Sequence, residues 1–269
     1  MYNGHHIVLE ILGIYKMDAG CTCPIRVKLD NDIRAVLKYP RNPQGMIVLL
    51  NEFITGHLAS SISITCPNFG IATIDNNVAV GGEMPCNTNS SIYSGLGFYS
   101  EYIPKTIPAS SRTLKHAVNL HETSRIVLLD HIIKNSDRHE GNLLLTANSQ
   151  SPMIYAIDHT HAFGDPDWNI TSLSLNDAES PYVWRENESV YNMLIGAGAP
   201  FTPEQLNTEC QFIQNRITEE SLSGIFASIP TEWVEAVGQE NISHLRKYIM
   251  NRVHNLERIC NVIIQERGD

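Results

Sequence analysis

Short strand-like runs of apolar residues open the chain. Residues 6–15 are rich in Ile, Val and Leu and predict a strand. In residues 24–29, Ile25, Val27 and Leu29 fall on one face, the two-residue period of a half-buried strand. Asn31-Asp32 supplies turn chemistry, and residues 34–39 return as the second strand of an antiparallel hairpin. After the break at Arg41-Asn42-Pro43-Gln44-Gly45 the period lengthens. Met46, Leu49, Leu50, Phe53, Ile54 and Leu58 share a broad helical face, with Asn51 and Glu52 at its margin. Short apolar runs broken by Pro, Gly and Asn predict two small strands within residues 66–80. Residues 81–94 predict a loop and residues 97–103 another strand.

That strand runs into Pro104-Lys105-Thr106-Ile107-Pro108, a proline-flanked stretch expected to act as a hinge. Beyond it, Ile126, Val127, Leu129, Ile132 and Ile133 predict a buried helix within residues 121–134, and residues 143–145 and 153–157 predict a hairpin. Residues 165–188 read mostly as loop before residues 189–195 turn apolar again. Thr202-Pro203-Glu204-Gln205 predicts a helix start, with Thr as N-cap, Pro at the first helical position and Gln two positions later. Thr231 and Asn241 read as further N-caps, and residues 242–265 carry one long amphipathic pattern. Strands with one helix, a hinge, then mainly helices predict an α+β fold in two lobes. The smaller β-rich lobe takes residues 1–104 and the larger, mostly helical lobe residues 105–269.

Composition narrows the classes. With 42% hydrophobic and 18% charged residues the chain is that of a globular protein. No apolar run approaches the ~20 residues a bilayer span needs, and no basic segment followed by an apolar core opens the chain. A cytoplasmic protein is expected. The net charge of −10 argues against nonspecific binding to nucleic acid or anionic membranes. Among six cysteines, Cys21 and Cys23 make half of a metal site, with no second close pair to complete it. Reduced thiols and no structural zinc are expected.

The chemistry concentrates in Asn135-Ser136-Asp137-Arg138-His139-Glu140-Gly141-Asn142 and, after an apolar hairpin, Ile157-Asp158-His159-Thr160-His161-Ala162-Phe163. An acid, an amide five residues later and a second acid at the end of a strand are the parts that ATP-dependent phosphoryl transfer needs. One carboxylate orients and deprotonates the attacking hydroxyl, and an Asn with an Asp holds Mg²⁺ against the phosphates. Lys38, in the returning strand, is placed to grip phosphates, with Glu52 on the next helix as its ion-pair partner. On that basis Lys38→Ala lowers activity far more than stability. His139 is expected to brace its loop by a hydrogen bond, and Arg138 to form a structural salt bridge. Read alone, each of these residues is also compatible with a turn or a solvated surface.

Taken together, Lys38-Tyr39-Pro40-Arg41-Asn42-Pro43-Gln44-Gly45, Asn51-Glu52, the Asp137 loop and the Asp158 segment resemble the HipA-like kinases of bacteria along nearly the whole chain. The likeness is to the short stand-alone branch of that family. It implies a two-lobed, protein-kinase-like fold with ATP in the cleft and Mg²⁺ as cofactor. Under that likeness Asp137 is the catalytic base, Asn142 and Asp158 the metal ligands, and Lys38 the phosphate-binding lysine with Glu52. Ala19, Gly20, Cys21 and Thr22 lie in the phosphate loop, where Thr22 is the hydroxyl available for autophosphorylation. Ser100 begins the nucleotide hinge, and Glu101, Tyr102 and Ile103 offer backbone groups to adenine. The family suggests a serine/threonine protein kinase acting as a toxin or regulator, with a protein acceptor and a possible cognate antitoxin. The Asp-Arg-His-x-x-Asn and Ile-Asp-His runs also resemble phosphoinositide kinases, a lipid-directed alternative. The single glycine in residues 18–23 leaves room for a nucleotide-binding pseudokinase that works by association, and a small-molecule acceptor is a further alternative.

Overall fold

The alternation in residues 25–38 places one set of side chains inside a sheet and the other outside. Ile25, Val27, Leu29 and Leu37 are all fully buried there. The computed structural model describes residues 1–14, 22–82, 93–147, 150–164, 167–175 and 183–266. Within them β1 (Tyr2–Ile14) pairs antiparallel with β2 (Ile25–Leu29), which pairs with β3 (Arg34–Lys38). Helix α1 (Ile47–Ser61) follows, then β4 (Phe69–Ile74), β5 (Ala79–Val80) and β6 (Gly95–Glu101). β6 lies between β3 and β4, and β4 runs parallel to the first half of β1, so the pairings β1-β2-β3-β6-β4 return to β1. Val8, Ile11, Leu37, Tyr39 and Tyr99 fill the inside of this ring.

Helix α1 is buried almost all round. It packs on β4 and β6 on one side and on α3 (Thr123–Ile132), α7 (Glu219–Ala227) and α8 (Thr231–Val237) on the other. Asn51 and Glu52 are therefore not marginal, as the helical period implies, but 0% and 5% exposed. Their polar groups are satisfied by hydrogen bonds to the segment after residue 157. The main core joins α1 to the helices of the second half of the chain.

Thr106–Pro108, inside the proline-flanked stretch, forms β7 and pairs with β8 (Leu143–Thr146), which pairs with β9 (Ile154–Ala156). β7 is an edge strand, where a proline without an N–H is tolerated. Short helices α2 (Ser111–Leu114) and α4 (Val183–Glu186) flank this region. Then come α5 (Glu188–Gly196), α6 (Pro203–Arg216), α9 (Gln239–His254) and α10 (Leu256–Glu266). The model thus has a β-rich first part and a mostly helical second part, the expected α+β class.

Several helix ends depart from their sequence signals. Thr202 and Gln205 form the expected capping box, and an unanticipated one joins Thr218 and Ser221 at α7. Thr231 is the first helical residue of α8 rather than its cap, because Pro230 takes the N-cap place. Asn241 does not cap α9. Its amide donates to the Val237 carbonyl at 2.8 Å and closes the end of α8 instead. The amphipathic run over 242–265 is split at Asn255, whose side-chain amide donates to the Asn251 carbonyl at 2.9 Å, a side-chain bond that competes with the helix ladder. No helix among the described residues is long and apolar enough to cross a membrane.

Candidate active site

A cleft of about 810 Å³ opens between the strand ring and the β7-β8-β9 sheet. Its walls include Val36 and Lys38 of β3, Glu52 and Gly56 of α1, and Leu144 and Ala156 below. The Phe69 ring sits so close to Gly56 that a Cβ there would meet its edge at 2.9 Å. The glycine lets α1 reach the cleft.

Lys38 is 8% exposed and donates to Glu52 Oε1, to Asp158 Oδ1 at 2.8 Å and to Thr160 Oγ1 at 2.5 Å. A lysine and a carboxylate 120 positions apart in sequence thus meet. Burial by itself lowers a lysine pKa, but the Asp158 and Glu52 charges outweigh it and hold Lys38 above its ordinary value. Burial likewise pushes Asp158 up, yet the Lys38 charge and the hydrogen bonds from Lys38 and Thr160 keep it well below the usual carboxylate range. Glu52 is held low, burial again opposing and Lys38 prevailing. All three groups are charged at neutral pH. Glu52 Oε1 also accepts the His159 amide at 3.1 Å.

Asp158 has φ +54°, a left-handed conformation that a non-glycine residue keeps only when its surroundings impose it. Asn51 helps to impose it. Its side-chain amide donates to the Thr160 carbonyl at 2.8 Å and the Ala162 carbonyl at 3.2 Å, and its oxygen accepts the Trp168 indole at 2.8 Å.

The Asp137 loop is held from below by a buried network. Arg138 grips Asp130 of α3 through Nε at 3.0 Å and Nη2 at 2.8 Å, both side chains being fully buried. Its Nη1 donates to the Asn142 carbonyl at 3.1 Å and the Ile157 carbonyl at 2.9 Å, tying the loop to the Asp158 segment. Asn187 accepts the Arg138 amide at 2.9 Å and donates to the Asn135 carbonyl at 2.7 Å. Asp137 and Asn142 meet directly, the Asn142 amide donating to the Asp137 carbonyl at 2.8 Å. The Asp137 carboxylate is about half exposed, with His161 Nε2 at 3.9 Å. His139 braces the loop by accepting the Gly141 amide at 3.0 Å, and Arg138 makes the structural salt bridge expected of it.

Glu101, Tyr102 and Ile103 line the same cleft. The Glu101 amide is spent on the Asn68 carbonyl at 2.7 Å and the Tyr102 amide on the Arg34 carbonyl at 2.9 Å. Of the residues expected in a phosphate loop, Thr22 is buried and is not among those lining the cleft. Ala19, Gly20 and Cys21 lie outside the described residues. Asn51, Asp130, Thr160 and Asn187 were not singled out for a role by sequence. A signal existed for two of them: Asn51 and Asp130 interrupt the apolar runs of buried helices. Among the described residues no three His, Cys, Asp or Glu side chains gather as a metal cluster.

The fold is similar to that of the proinflammatory kinase CtkA of Helicobacter pylori, with TM-score 0.56 at 12% identity over 96% of this chain and 99% of that one. It is also similar to hydra Fam20, solved with sugar, with TM-score 0.54 at 14% identity over 95% and 86%. HipA of Shewanella oneidensis, solved with HipB and operator DNA, aligns at TM-score 0.49 and 11% identity over 90% and 65%. A comparison with curated protein sequences found no match. The model of the HipA-like kinase family matches residues 8–186, so the chain belongs to the HipA-like kinases.

Proposed function

We propose that this kinase transfers the γ-phosphoryl group of ATP, with Mg²⁺, to a serine or threonine hydroxyl of a protein. Its setting would be that of a bacterial toxin or regulator with a cognate antitoxin. The observation that carries this reading is the buried Lys38, held between Glu52 and Asp158 at the wall of the cleft. An ammonium so placed positions ATP phosphates, and Glu52 keeps it there. Asp137, half exposed and beside the cleft segment, acts as the base that takes the acceptor hydroxyl proton. The Ile103 amide, at the cleft edge, serves the adenine together with the carbonyls of Glu101 and Ile103, and Ala19, Gly20, Cys21 and Thr22 form the loop over the phosphates. Residues 1–104 then cover the nucleotide and residues 105–269 supply the catalytic loop.

Asn142 and Asp158 fit a hard divalent cation. Asn142 spends its amide on the Asp137 carbonyl, and neither its Oδ1 nor Asp158 Oδ2 accepts a hydrogen bond among the described residues. Two oxygen donors without a closed protein cage suit Mg²⁺, which completes its shell with water and substrate phosphates. Bound there, the ion neutralises phosphate charge.

The test is transfer of labelled γ-phosphate from Mg-ATP, for wild type beside Asp137→Ala and Asp158→Ala, with the protein alone and then with bacterial lysate. Labelling of a protein that vanishes in both variants is expected, and acid hydrolysis would yield phosphoserine or phosphothreonine. Label in lipid extracts, or nucleotide binding with no transfer, would overturn the protein-kinase reading.

A further inference from the structure

Thr160 is 4% exposed and sits inside the ion-pair cluster. A lysine ammonium has three protons and no acceptor. Lys38 offers them to Glu52 Oε1, Asp158 Oδ1 and Thr160 Oγ1. Thr160 must therefore accept from Lys38 and give its own single proton elsewhere. Asp158 Oδ1 at 2.7 Å takes it in preference to Glu52 Oε1 at 3.4 Å. The donor order, Lys38 to Thr160 to Asp158, follows from the chemistry of the groups and these distances.

The backbone holds the hydroxyl in that place. The Thr160 carbonyl is pinned by Asn51, which is itself fixed by Trp168. Asp158 Oδ1 thus has two strong donors, Lys38 and Thr160, while Oδ2 has none among the described residues. When Lys38 turns toward phosphates with Glu52 as its partner, it leaves Asp158. Of the two strong donors to Asp158 Oδ1, only the Thr160 hydroxyl then stays.

We propose that Thr160 is a positioning residue: its hydroxyl holds Asp158 Oδ1 so that Oδ2 stays turned to the cation while Lys38 serves the nucleotide. This rests on the reading of Asp158 as a metal ligand and Lys38 as the phosphate-binding group. The hydroxyl has the place of an outer-shell partner, and loss of such a partner typically weakens metal binding about 10- to 100-fold.

The test measures Mn²⁺ affinity in the presence of ADP by electron paramagnetic resonance on the full chain, with the Mg²⁺ dependence of phosphoryl transfer beside it. Thr160→Val is expected to weaken Mn²⁺ about 10- to 100-fold and to raise the Mg²⁺ needed for half-maximal turnover, with most turnover recovered at saturating Mg²⁺. Thr160→Ser keeps the hydroxyl and is expected to stay near wild type. Equal Mn²⁺ affinity in wild type and Thr160→Val overturns the proposal, as does an equal loss in Ser and Val, which would show packing rather than the hydroxyl at work. Should Thr160→Val melt below the assay temperature, Thr160→Ala carries the same comparison without the added methyl. Asp158→Asn separates the two levels: wild-type Mn²⁺ binding no tighter than that of Asp158→Asn removes the metal-site reading itself.

Discussion

Replacing Arg138 by Met tests whether the catalytic loop depends on a buried charge pair. Arg138 and Asp130 are both fully buried, and the pair is bidentate at 2.8 and 3.0 Å. Met fills much of the arginine stem but leaves the Asp130 carboxylate with two neutral donors, Asn135 at 3.0 Å and Tyr191 at 3.2 Å. Removing one partner of a buried pair costs about 3–5 kcal/mol, because the other charge stays desolvated. The Ile157 carbonyl also loses its Nη1 donor, whereas the Asn142 carbonyl keeps the Ile157 amide at 3.1 Å. Against a total stability of about 5–15 kcal/mol the loss is large. Urea unfolding followed by circular dichroism and tryptophan fluorescence reads it as a lower midpoint at unchanged slope. Adding Asp130→Asn removes the stranded charge, so the double variant is expected to recover at least about 2 kcal/mol relative to the sum of the singles. A loss below about 1 kcal/mol in Arg138→Met, or strict additivity in the double variant, would refute the argument.

Lys38→Ala is expected to abolish transfer, and the structure adds a stability cost to that loss. It leaves the buried Glu52 carboxylate and the partly buried Asp158 carboxylate without their cation, a change expected to cost about 3 kcal/mol and measurable as a lower melting midpoint beside the activity assay. A second expectation concerns pH. His131 is fully buried, and burial, opposed by its Val127 hydrogen bond and reinforced by Arg252, lowers its pKa to about 4. As pH falls from about 6.5 toward 4 the unfolded chain takes up a proton that the folded imidazole refuses, so stability falls by about 3 kcal/mol across that window. His57, also lowered to about 4 by burial, acts in the same direction. Below about pH 4 the depressed carboxyls of Asp158 and Glu52 extend the loss. Urea midpoints at pH 7, 5.5 and 4.5 check the slope, and His131→Phe is expected to flatten part of it. A wild-type midpoint that does not move over this range would count against the neutral buried histidine.

Much of the framework was legible because it depends on neighbours in sequence. The alternation of Ile25, Val27 and Leu29 specifies a one-faced strand wherever it occurs, and Thr202 to Gln205 closes a capping box within four residues. Lys38, Glu52, Asp137, Asn142 and Asp158 stand out by order and spacing, and the structure gathers Lys38, Glu52 and Asp158 into one cluster. Elsewhere local rules met competitors from outside the window. Asn241 has the chemistry of an N-cap, but it falls inside α9, where its oxygen accepts the Ile170 amide and its own amide closes α8. Asn255 interrupts a pattern that periodicity carries on through residue 265.

The sequence by itself determined the strand and helix periods, the α+β class and the residue types brought to the cleft. Tertiary structure alone decided which polar groups lose water together. A helical period says which residues share a face. It does not say that both faces of α1 are covered, and that covering turns Asn51 and Glu52 from surface residues into buried hydrogen-bonding partners of the Asp158 segment. The desolvation that makes a buried charge demand a partner depends on what packs opposite it. For Lys38 and Asp158 the opposite element lies 120 residues away, beyond the reach of any local pattern.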